Sequence, residues 1–387
     1  MLVALSNTPR DYAWGSPTLL AELEGREPTG APEAEVWFGD HPGSPARVLD
    51  GSGRTLDEWL PAVAAEAGAP ERLPYLLKLL AAGAPLSIQV HPSRAQAVEG
   101  FAREEAAGVP RDAGTRNYKD DNHKPEVIVA LSETFTALAG LRDVEITRRL
   151  LGDLDDGDGV RALRARLQQD DPAAALRAAI GWALGEATTD EIDQIVEAAA
   201  SLSTPSFAAE SALVAQLREA YPADPGIVVA LLMNLVELRR GEAIFVPAGV
   251  LHAYVSGLGV EIMAASDNVL RGGLTPKHID VSELLGLVDF HPAAPPRLSP
   301  TSTDDGAEIF APGIADFALA HVDVSTAPTR VPLRGISIAV GVAGEATVTG
   351  ASGASVTLVP GQAALATIDE GPLTVSGGEV FVAMPGE

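Results

Sequence analysis

The hydrophobic pattern of this 387-residue chain changes twice along its length. Residues 1 to about 140 carry short strand-like apolar runs, such as Val127–Leu131, between Gly and Pro breaks. Residues 142 to about 221 instead carry Ala, Leu, Arg and Glu at helical spacing, and strand-like runs return from Gly241 onward. Because strands alternate with period 2 and helices with period 3.6, the pattern predicts a mostly β protein interrupted by a helical insertion.

These changes in pattern predict that the chain is divided into three domains. Residues 1–141 and 226–290 are predicted to form one β domain, and residues 142–225 an insertion of two to four helices. Within the insertion, Thr188–Glu191 fits a capping box that begins a helix. After a Pro-rich linker, residues 291–387 are predicted to form a second β domain, since many short strands separated by turns are typical of a small sandwich or barrel.

Composition excludes several classes of partner and site. With 27 Lys and Arg against 53 Asp and Glu, the net charge is −26, which disfavours nucleic acid and anionic membranes as partners. The absence of Cys excludes disulfides, thiolate metal sites and a cysteine nucleophile. The longest purely apolar run, Ile227–Met233, is far shorter than the roughly 18 residues of a membrane helix, so we expect a cytoplasmic protein.

Two polar stretches of the first β part contain candidate metal ligands. In Ser87–Pro92, residues alternate as in a strand, so Gln89 and His91 leave one face about 7 Å apart, a separation that two ligands of one ion can have. The loop that follows delivers Glu126 to the start of the strand Val127–Leu131, where it is either a salt-bridge partner or a ligand.

A third polar stretch follows the insertion. His252 shares a predicted strand face with Tyr254 and is either a core residue or a ligand. Arg271 precedes two glycines, and its guanidinium suits the clamping of an anion. Together with Gln89, His91 and Glu126, His252 completes a nitrogen and oxygen ligand set that suits zinc or a harder divalent ion such as manganese. Such a set is what the interior of a cupin-type barrel presents.

Six stretches, in order, resemble those of the type I mannose-6-phosphate isomerase family: Tyr12–Gly15, Glu35–Pro42, Ser87–Pro92, Asn122–Glu126, Pro247–Tyr254 and Ser266–His278. The resemblance spans residues 10 to about 280, whereas residues 291–387 share with the family only a β-rich character. It implies a cupin, jelly-roll metal-binding domain with an inserted α-helical domain and a C-terminal jelly-roll-like domain.

The resemblance also implies roles for ten residues. One zinc ion is expected on Gln89, His91, Glu126 and His252, and the catalytic arginine is expected at Arg271. The residues expected to contact the substrate are Ser87, Lys124, Tyr254, Asp267 and Lys277. Among them, Lys124, Lys277 and Ser87 are candidates for phosphate and hydroxyl contacts, and two of these are among only four lysines in the chain.

The implied reaction interconverts mannose 6-phosphate and fructose 6-phosphate through an enediol or enediolate. The residues leave the general base open among Glu261, Asp267, His123, Lys124 and a water on the metal ion. Two other functions compete with this one: a non-catalytic metal-binding cupin that binds a sugar phosphate, and a cupin oxygenase that uses iron. The sequence does not fix the oligomeric state, and a monomer is compatible with it.

Overall fold

In the computed structural model, which describes residues 1–67, 70–324 and 327–387, strands dominate both ends of the chain and helices its middle. The first part contains the helices α1 (Leu19–Leu23), α2 (Leu56–Ala67) and α3 (Arg94–Ala106). Its strands are β1 (Leu2–Ser6), β2 (Glu35–Phe38), β3 (Arg47–Val48), β4 (Tyr75–Ala82), β5 (Gln89–Val90), β6 (Glu126–Ala130) and β7 (Thr134–Leu141).

The middle of the chain is helical, as predicted. Its α-helices are α4 (Val144–Gly152), α5 (Asp158–Arg166), α6 (Pro172–Gly185), α7 (Thr189–Ala200), α8 (Ala208–Ala220) and α9 (Gly226–Leu231), and a 3₁₀ turn lies at Pro205–Phe207. The capping box at Thr188 is confirmed at the start of α7. The expected two to four helices were too few, because five α-helices lie within residues 142–225. Several are short, so their apolar stripes follow one another without a strong break in the sequence.

Strands return after the insertion. β8 (Met233–Arg239), β9 (Ala243–Val246), β10 (His252–Ala264) and β11 (Leu270–Arg271) are followed by the helix α10 (Val281–Leu287). The last part contains β12 (Arg297–Leu298), β13 (Thr301–Ser302), β14 (Glu308–Phe310), β15 (Ala318–Asp323), β16 (Thr329–Val331), β17 (Ser337–Ala343), β18 (Ala346–Thr349), β19 (Ser355–Leu358), β20 (Ala363–Ala366), β21 (Leu373–Ser376) and β22 (Glu379–Met384), with a 3₁₀ turn at Ile368–Glu370. The fold is therefore mostly β with a helical insertion, as expected.

Strand β10 organises the sheet that carries the candidate site. Its first half pairs with β5 and β7, and its second half pairs with β4 and β6. Between the halves, the register with β7 shifts after Tyr254, and Gly257 adopts a φ of 118°. A residue with a Cβ is strained at that angle, so glycine permits the strand to bend there. Among the described strands the sheets stay open, so the cupin-like site lies on a bent sheet and not inside a closed barrel.

The N-terminal strand belongs to the sheet of the C-terminal part. β1 pairs antiparallel with β20, with Leu2 opposite Ala366, and on its other edge with β3. The eight-stranded sheet therefore combines residues from both ends of the described chain. The division of the chain into three domains stays a prediction, and any boundary has to account for this shared sheet.

The helical insertion packs against the back of the strands that carry the candidate site. Its largest apolar cluster includes Ile88 and Val90 from the β5 segment, Leu251 just before β10, and Ala253 and Val255 from β10. Because strand side chains alternate between faces, the neighbours of these residues point to the opposite side. Among the described residues, no helix is long and apolar enough to cross a membrane.

Candidate active site

Alternation along β5 and β10 delivers polar side chains to one face of the sheet. Gln89 lies directly opposite His252 on β10 and opposite Arg271 on β11. Residues that face each other across antiparallel strands project on the same side, so these three side chains form one row. The sequence predicted the strand face correctly, although only Gln89 and Val90 of Ser87–Pro92 form regular ladder pairs.

His252 of this row meets two other buried side chains that can bind a metal ion, His91 and Glu126. Glu126 Oε1 lies 3.2 Å from His91 Nε2, and Glu126 Oε2 lies 3.2 Å from His252 Nε2. In the part of the chain that the structure describes, this is the one group of three His, Asp or Glu side chains close enough to hold a metal ion. It contains three of the four ligands expected from the sequence, and Gln89 lies across the ladder from His252.

The hydrogen bonds of the two histidines fit a cation at this point. His91 Nδ1 lies 2.8 Å from the Asn268 carbonyl and His252 Nδ1 lies 3.2 Å from the Val250 carbonyl. A carbonyl only accepts, so each Nδ1 carries the proton and each Nε2 presents a lone pair to the Glu126 carboxylate. His91 Nε2 has no hydrogen-bond partner among the residues that the structure describes, and burial lowers the pKa of His91 to about 4. Three converging lone pairs need a positive charge between them, which a divalent ion supplies.

Lys124 adds a positive charge on the outer side of Glu126. Its Nζ lies 3.0 Å from Glu126 Oε1. Burial alone would raise the pKa of Glu126, but the charge of Lys124 and the contacts with His91 and His252 hold it well below its ordinary value. Glu126 is therefore ionised, as a metal ligand must be.

A cavity of about 720 Å³ opens in front of the cluster. Eight of the ten residues whose roles the family resemblance implies line it: Ser87, Gln89, Lys124, Glu126, His252, Tyr254, Arg271 and Lys277. His91 is fully buried behind them. Asp267 instead lines an adjoining cavity of about 200 Å³, where its carboxylate lies 3.1 Å from His41 Nε2. The hydrogen bond with His41 is the main cause that lowers the pKa of Asp267.

Positive charge accumulates at the rim of the main cavity. Burial lowers the pKa of Arg271, and burial together with the charges of Arg271 and Lys119 lowers that of Lys277. No carboxylate among the described residues forms an ion pair with Arg271 or Lys277. Cations without counter-charges in a partly buried rim make a site for an anion such as a phosphate.

A buried ion cluster on the cavity wall was not predicted from the sequence, although one of its members, Glu261, was a candidate base. Lys78 Nζ on β4 lies 3.2 Å from Glu35 and 2.8 Å from Glu261. Burial would lower the pKa of Lys78, but Glu261 and Glu35 raise it above its ordinary value, so Lys78 stays charged. Its signal in the sequence was a single lysine inside the apolar run Tyr75–Ala82.

Glu261 is the member of this cluster with an unusual protonation. Burial raises its pKa, and although Lys78 opposes the effect, the charges of Glu126 and Glu35 add to it. Glu261 lines the main cavity, so a carboxylate with increased basicity faces the space in front of the metal cluster.

The Tyr254 hydroxyl is available to a ligand. It is buried, and within the described part of the chain it has no hydrogen-bond partner. Burial, together with the charges of Glu261 and Glu126, raises the pKa of Tyr254 well above its ordinary value. Tyr254 is therefore a neutral phenol whose O–H can be donated to a substrate oxygen.

His123 belongs to a different contact. Its Nε2 lies 2.8 Å from the Asp316 carboxylate, which comes from the loop between β14 and β15. His123 does not line the main cavity. The loop that carries Lys124 is thus tied to the C-terminal part of the chain.

Comparison with known proteins agrees with this geometry. The family model described as "Phosphomannose isomerase type I, catalytic domain" matches residues 2–144. The chain is 36% identical over 398 residues to mannose-6-phosphate isomerase of Escherichia coli (strain K12), and 37% identical over 383 residues to that of Salmonella typhimurium. In both cases 96% of each chain is covered.

A solved structure of mannose 6-phosphate isomerase from Salmonella typhimurium, bound to the substrate fructose 6-phosphate and a zinc atom, has a similar fold. It superposes with a TM-score of 0.87 at 34% identity, over the whole of both chains. On this sequence identity and coverage, the chain belongs to the type I phosphomannose isomerase family.

Proposed function

We propose that this chain is a zinc-dependent mannose-6-phosphate isomerase that interconverts mannose 6-phosphate and fructose 6-phosphate. The observation that carries the proposal is the buried His91–Glu126–His252 cluster, which lies at a cavity with Arg271 and Lys277 on its rim. A related structure holds both zinc and fructose 6-phosphate. A sugar phosphate fits these features, because its phosphate needs cations and its oxygens need polar contacts.

Gln89, His91, Glu126 and His252 would hold the zinc ion. When bound, zinc acts as a Lewis acid that favours negative charge on the substrate oxygens O1 and O2. The residues around it bind and orient the sugar and move its protons.

The reaction requires a base and several hydrogen-bond donors. From aldose to ketose, C2 loses a proton, its electron pair forms the C1–C2 double bond, and the carbonyl oxygen O1 becomes an oxyanion. Transfer of the O2 proton to O1 and return of the C2 proton to C1 then give the ketone. The base therefore has to reach both carbons, and the donors have to face O1 and O2.

Among the candidate bases, Glu261 is supported best. It is a non-ligand carboxylate on the cavity wall, and its raised pKa makes it a stronger base than an ordinary carboxylate. His123 and Asp267 lie outside the main cavity, paired with Asp316 and His41. Lys124 lies against Glu126 and is better placed as a donor. We assign to Glu261 the transfer of the proton between C2 and C1.

The remaining residues bind and stabilise charge. Tyr254 and Arg271 would donate to the developing oxyanion, because a neutral phenol and a permanently charged guanidinium both have protons to share. Lys277 and Ser87 would bind the phosphate and a sugar hydroxyl. Asp267 stays a predicted substrate contact through the adjoining cavity.

The proposal includes a cytoplasmic location and the three-domain division expected from the sequence. The metal-binding domain would comprise residues 1–141 and 226–290, the insertion residues 142–225, and the C-terminal β domain residues 291–387. Both features stay predictions.

Removal and return of zinc test the function. We expect protein treated with a chelator to lose the formation of fructose 6-phosphate in a coupled assay and to regain it with zinc. Elemental analysis should find one zinc per chain in the wild type and in His291→Ala, whose histidine is exposed, but little in His252→Ala. Full turnover of a metal-free sample would contradict the proposal. Sugar-phosphate binding without turnover in the zinc-loaded protein would favour the non-catalytic cupin instead.

A further inference from the structure

The segment Tyr221–Gly226, which we call the junction segment, contacts both sides of the main cavity. At one side, the Tyr221 hydroxyl donates to the Pro85 carbonyl at 2.7 Å, just before Ser87 and Gln89. Tyr221 itself lines the cavity. At the other side, the segment reaches the loop of residues 272–277, which follows Arg271 and ends at Lys277. We call it the rim loop, because Arg271 and Lys277 lie at the rim of the cavity.

The second contact is made by a single carboxylate. Asp224 Oδ1 accepts hydrogen bonds from the backbone N–H groups of Gly226 at 2.7 Å and Leu274 at 3.0 Å. Asp224 Oδ2 accepts one from the N–H of Thr275 at 3.0 Å. Two consecutive amides of the rim loop are thus bound to one side chain of the junction segment. Bonds to an ionised acceptor are stronger than those between neutral groups.

The backbone of the rim loop needs such support. Leu274 adopts a φ of 55°, in the left-handed region that residues with a Cβ rarely occupy. Gly273 before it has a φ of 123°, and a Cβ added there would lie 2.2 Å from the Cα of Gly226. The two backbones therefore touch, and the unusual conformation of Leu274 persists only where its surroundings fix it. The bonds from Leu274 and Thr275 to Asp224 do this.

The rim loop carries substrate contacts but no metal ligand. Thr275 and Lys277 line the cavity, and Arg271 lies immediately before the loop. The four expected metal ligands lie on or beside β5, β6 and β10, outside the rim loop. Gly272 and Gly273 share backbone hydrogen bonds with Ile88, next to Gln89, whereas the amides held by Asp224 belong to Leu274 and Thr275, further along the loop toward Lys277. Displacement of the loop would therefore affect substrate binding more than metal binding.

We propose that Asp224 is a positioning residue, which holds the rim loop so that Lys277 faces the phosphate of the bound sugar. The assignment of the ligand rests on the proposed function. The helical insertion thereby contributes to substrate affinity through the segment at its end, although its helices carry none of the proposed catalytic groups.

Two substitutions test this role. Asp224→Ala removes all three bonds, and we expect the KM for mannose 6-phosphate to rise by about tenfold or more while kcat changes by less than about threefold. Asp224→Asn keeps one oxygen acceptor, so its KM should lie between those of wild type and Asp224→Ala. Both variants should retain the zinc content of the wild type. If the alanine variant does not fold, the asparagine variant still tests the proposal.

Asp143 offers a matched control. Its carboxylate accepts bonds from the backbone N–H groups of Glu145 at 2.7 Å and Ile146 at 3.3 Å, at the start of α4 and outside the cavity. Asp143→Ala should have the KM of the wild type. An equal rise in KM in this variant would overturn the proposal, because it would show a general effect of destabilising the insertion.

A second measurement does not depend on activity. Trypsin cleaves after Lys277, which is exposed, and cleavage there should be several-fold faster in Asp224→Ala than in wild type or Asp143→Ala. A wild-type KM together with a wild-type cleavage rate in both Asp224 variants would overturn the positioning role. If the zinc-loaded wild type shows no isomerase activity, the proposed function fails, and the cleavage rates still decide whether Asp224 holds the loop.

Discussion

The two carboxylate oxygens of Glu126 contact three side-chain nitrogen atoms, which belong to His91, Lys124 and His252. The Nε2 atoms of His91 and His252 approach with lone pairs, whereas Lys124 approaches with an ammonium group. Lys124 partly compensates the carboxylate charge from outside, and the space between the imidazoles is left for a cation. The same residue types in a solvent-exposed cluster would be unremarkable, and the burial of all three is what makes this arrangement a candidate metal site.

Substitution of Glu261 tests the assignment of the base. In Glu261→Gln we expect kcat to fall by a factor on the order of 10² to 10⁴, because the proton then has no carboxylate to move to. The wild-type acid limb of kcat/KM should reflect a group with a pKa raised above 4.5, and this limb should disappear in the variant. Zinc content should not change.

Glu35 provides the control for charge. It contacts the same lysine at 3.2 Å, so Glu35→Gln also removes one negative charge from beside Lys78. If Glu261 acts as the base, kcat should fall far less in Glu35→Gln than in Glu261→Gln. Equal losses would assign Glu261 to the charge balance of Lys78 instead.

Arg271 is expected to act on the transition state. Arg271→Ala should lower kcat by a factor on the order of 10² to 10³ while zinc content stays intact, because a donor to the oxyanion is removed. Arg271→Lys should recover only part of the loss, since an ammonium lacks the planar fork of a guanidinium. Turnover near the wild-type value in the alanine variant would reassign Arg271 to structure.

Candidate site residues within polar stretches could be predicted from the sequence. Candidate site residues within apolar runs could not. Gln89 and His91 were recognisable because strand alternation puts them on one face. Lys78 was not, because its partners Glu35 and Glu261 lie far away along the chain and come together only when β2, β4 and β10 pair. Asp267 is close to Arg271 in sequence but lines the adjoining cavity and not the main one, and its contact with the substrate stays a prediction.

At the scale of elements, β10 joins the metal cluster to the candidate base. It begins at His252 and contains both Tyr254 and Glu261. The bend near Gly257 lets one strand serve two neighbouring sets of partners. The sequence predicted a β region that continues to about Met263, but it did not show that one unbroken strand would span the site.

The helical insertion offers a stability test that should leave catalysis unchanged. The Thr188 side chain accepts a bond from the backbone N–H of Glu191 at the start of α7. Loss of this cap in Thr188→Ala should lower the free energy of unfolding of the insertion by about 1 kcal/mol, as measured by urea denaturation. Both kcat and KM should keep their wild-type values.

Thr189 serves as the control for this test. It is also an exposed threonine, but it is the first residue inside α7 and not the cap. Thr189→Ala should change stability by no more than about 0.5 kcal/mol. A similar loss in both variants would mean that the capping bond contributes little.

At the scale of the molecule, charge is distributed unevenly. The chain has a net charge of −26, yet each of its four lysines lines one of the two cavities, as does Arg271. The average charge therefore describes the outer surface, which repels polyanions. A small phosphate ester meets a locally positive site.

The C-terminal part contains a pH-sensitive contact with the rest of the chain. His321 lies between Glu308 at 3.1 Å and Glu379 at 3.0 Å and stacks on Phe381. Glu379 also pairs with Arg240, which lies between β8 and β9. Burial would lower the pKa of His321, but the two carboxylates raise it above its ordinary 6.5.

A group whose pKa is raised by folding stabilises the folded state when it is protonated. The contribution of His321 should be fully present below about pH 6.5 and lost as the pH rises through its raised pKa. Wild-type stability, measured by denaturation between pH 6 and 8, should therefore fall more steeply than that of His321→Gln. An identical pH dependence in both proteins would contradict this prediction, and the exposed His291→Gln should behave like wild type.

The pairing of β1 with β20 has a consequence for biosynthesis. β1 leaves the ribosome before every other strand described, but β20, with which it pairs, is translated only after β2 to β19. β3 can pair with one edge of β1 early, but until β20 is made the other edge has no native partner, and a chaperone or the remaining nascent chain has to keep it from pairing elsewhere. The first of the described strands to be made is thus among the last of them to complete its native pairing.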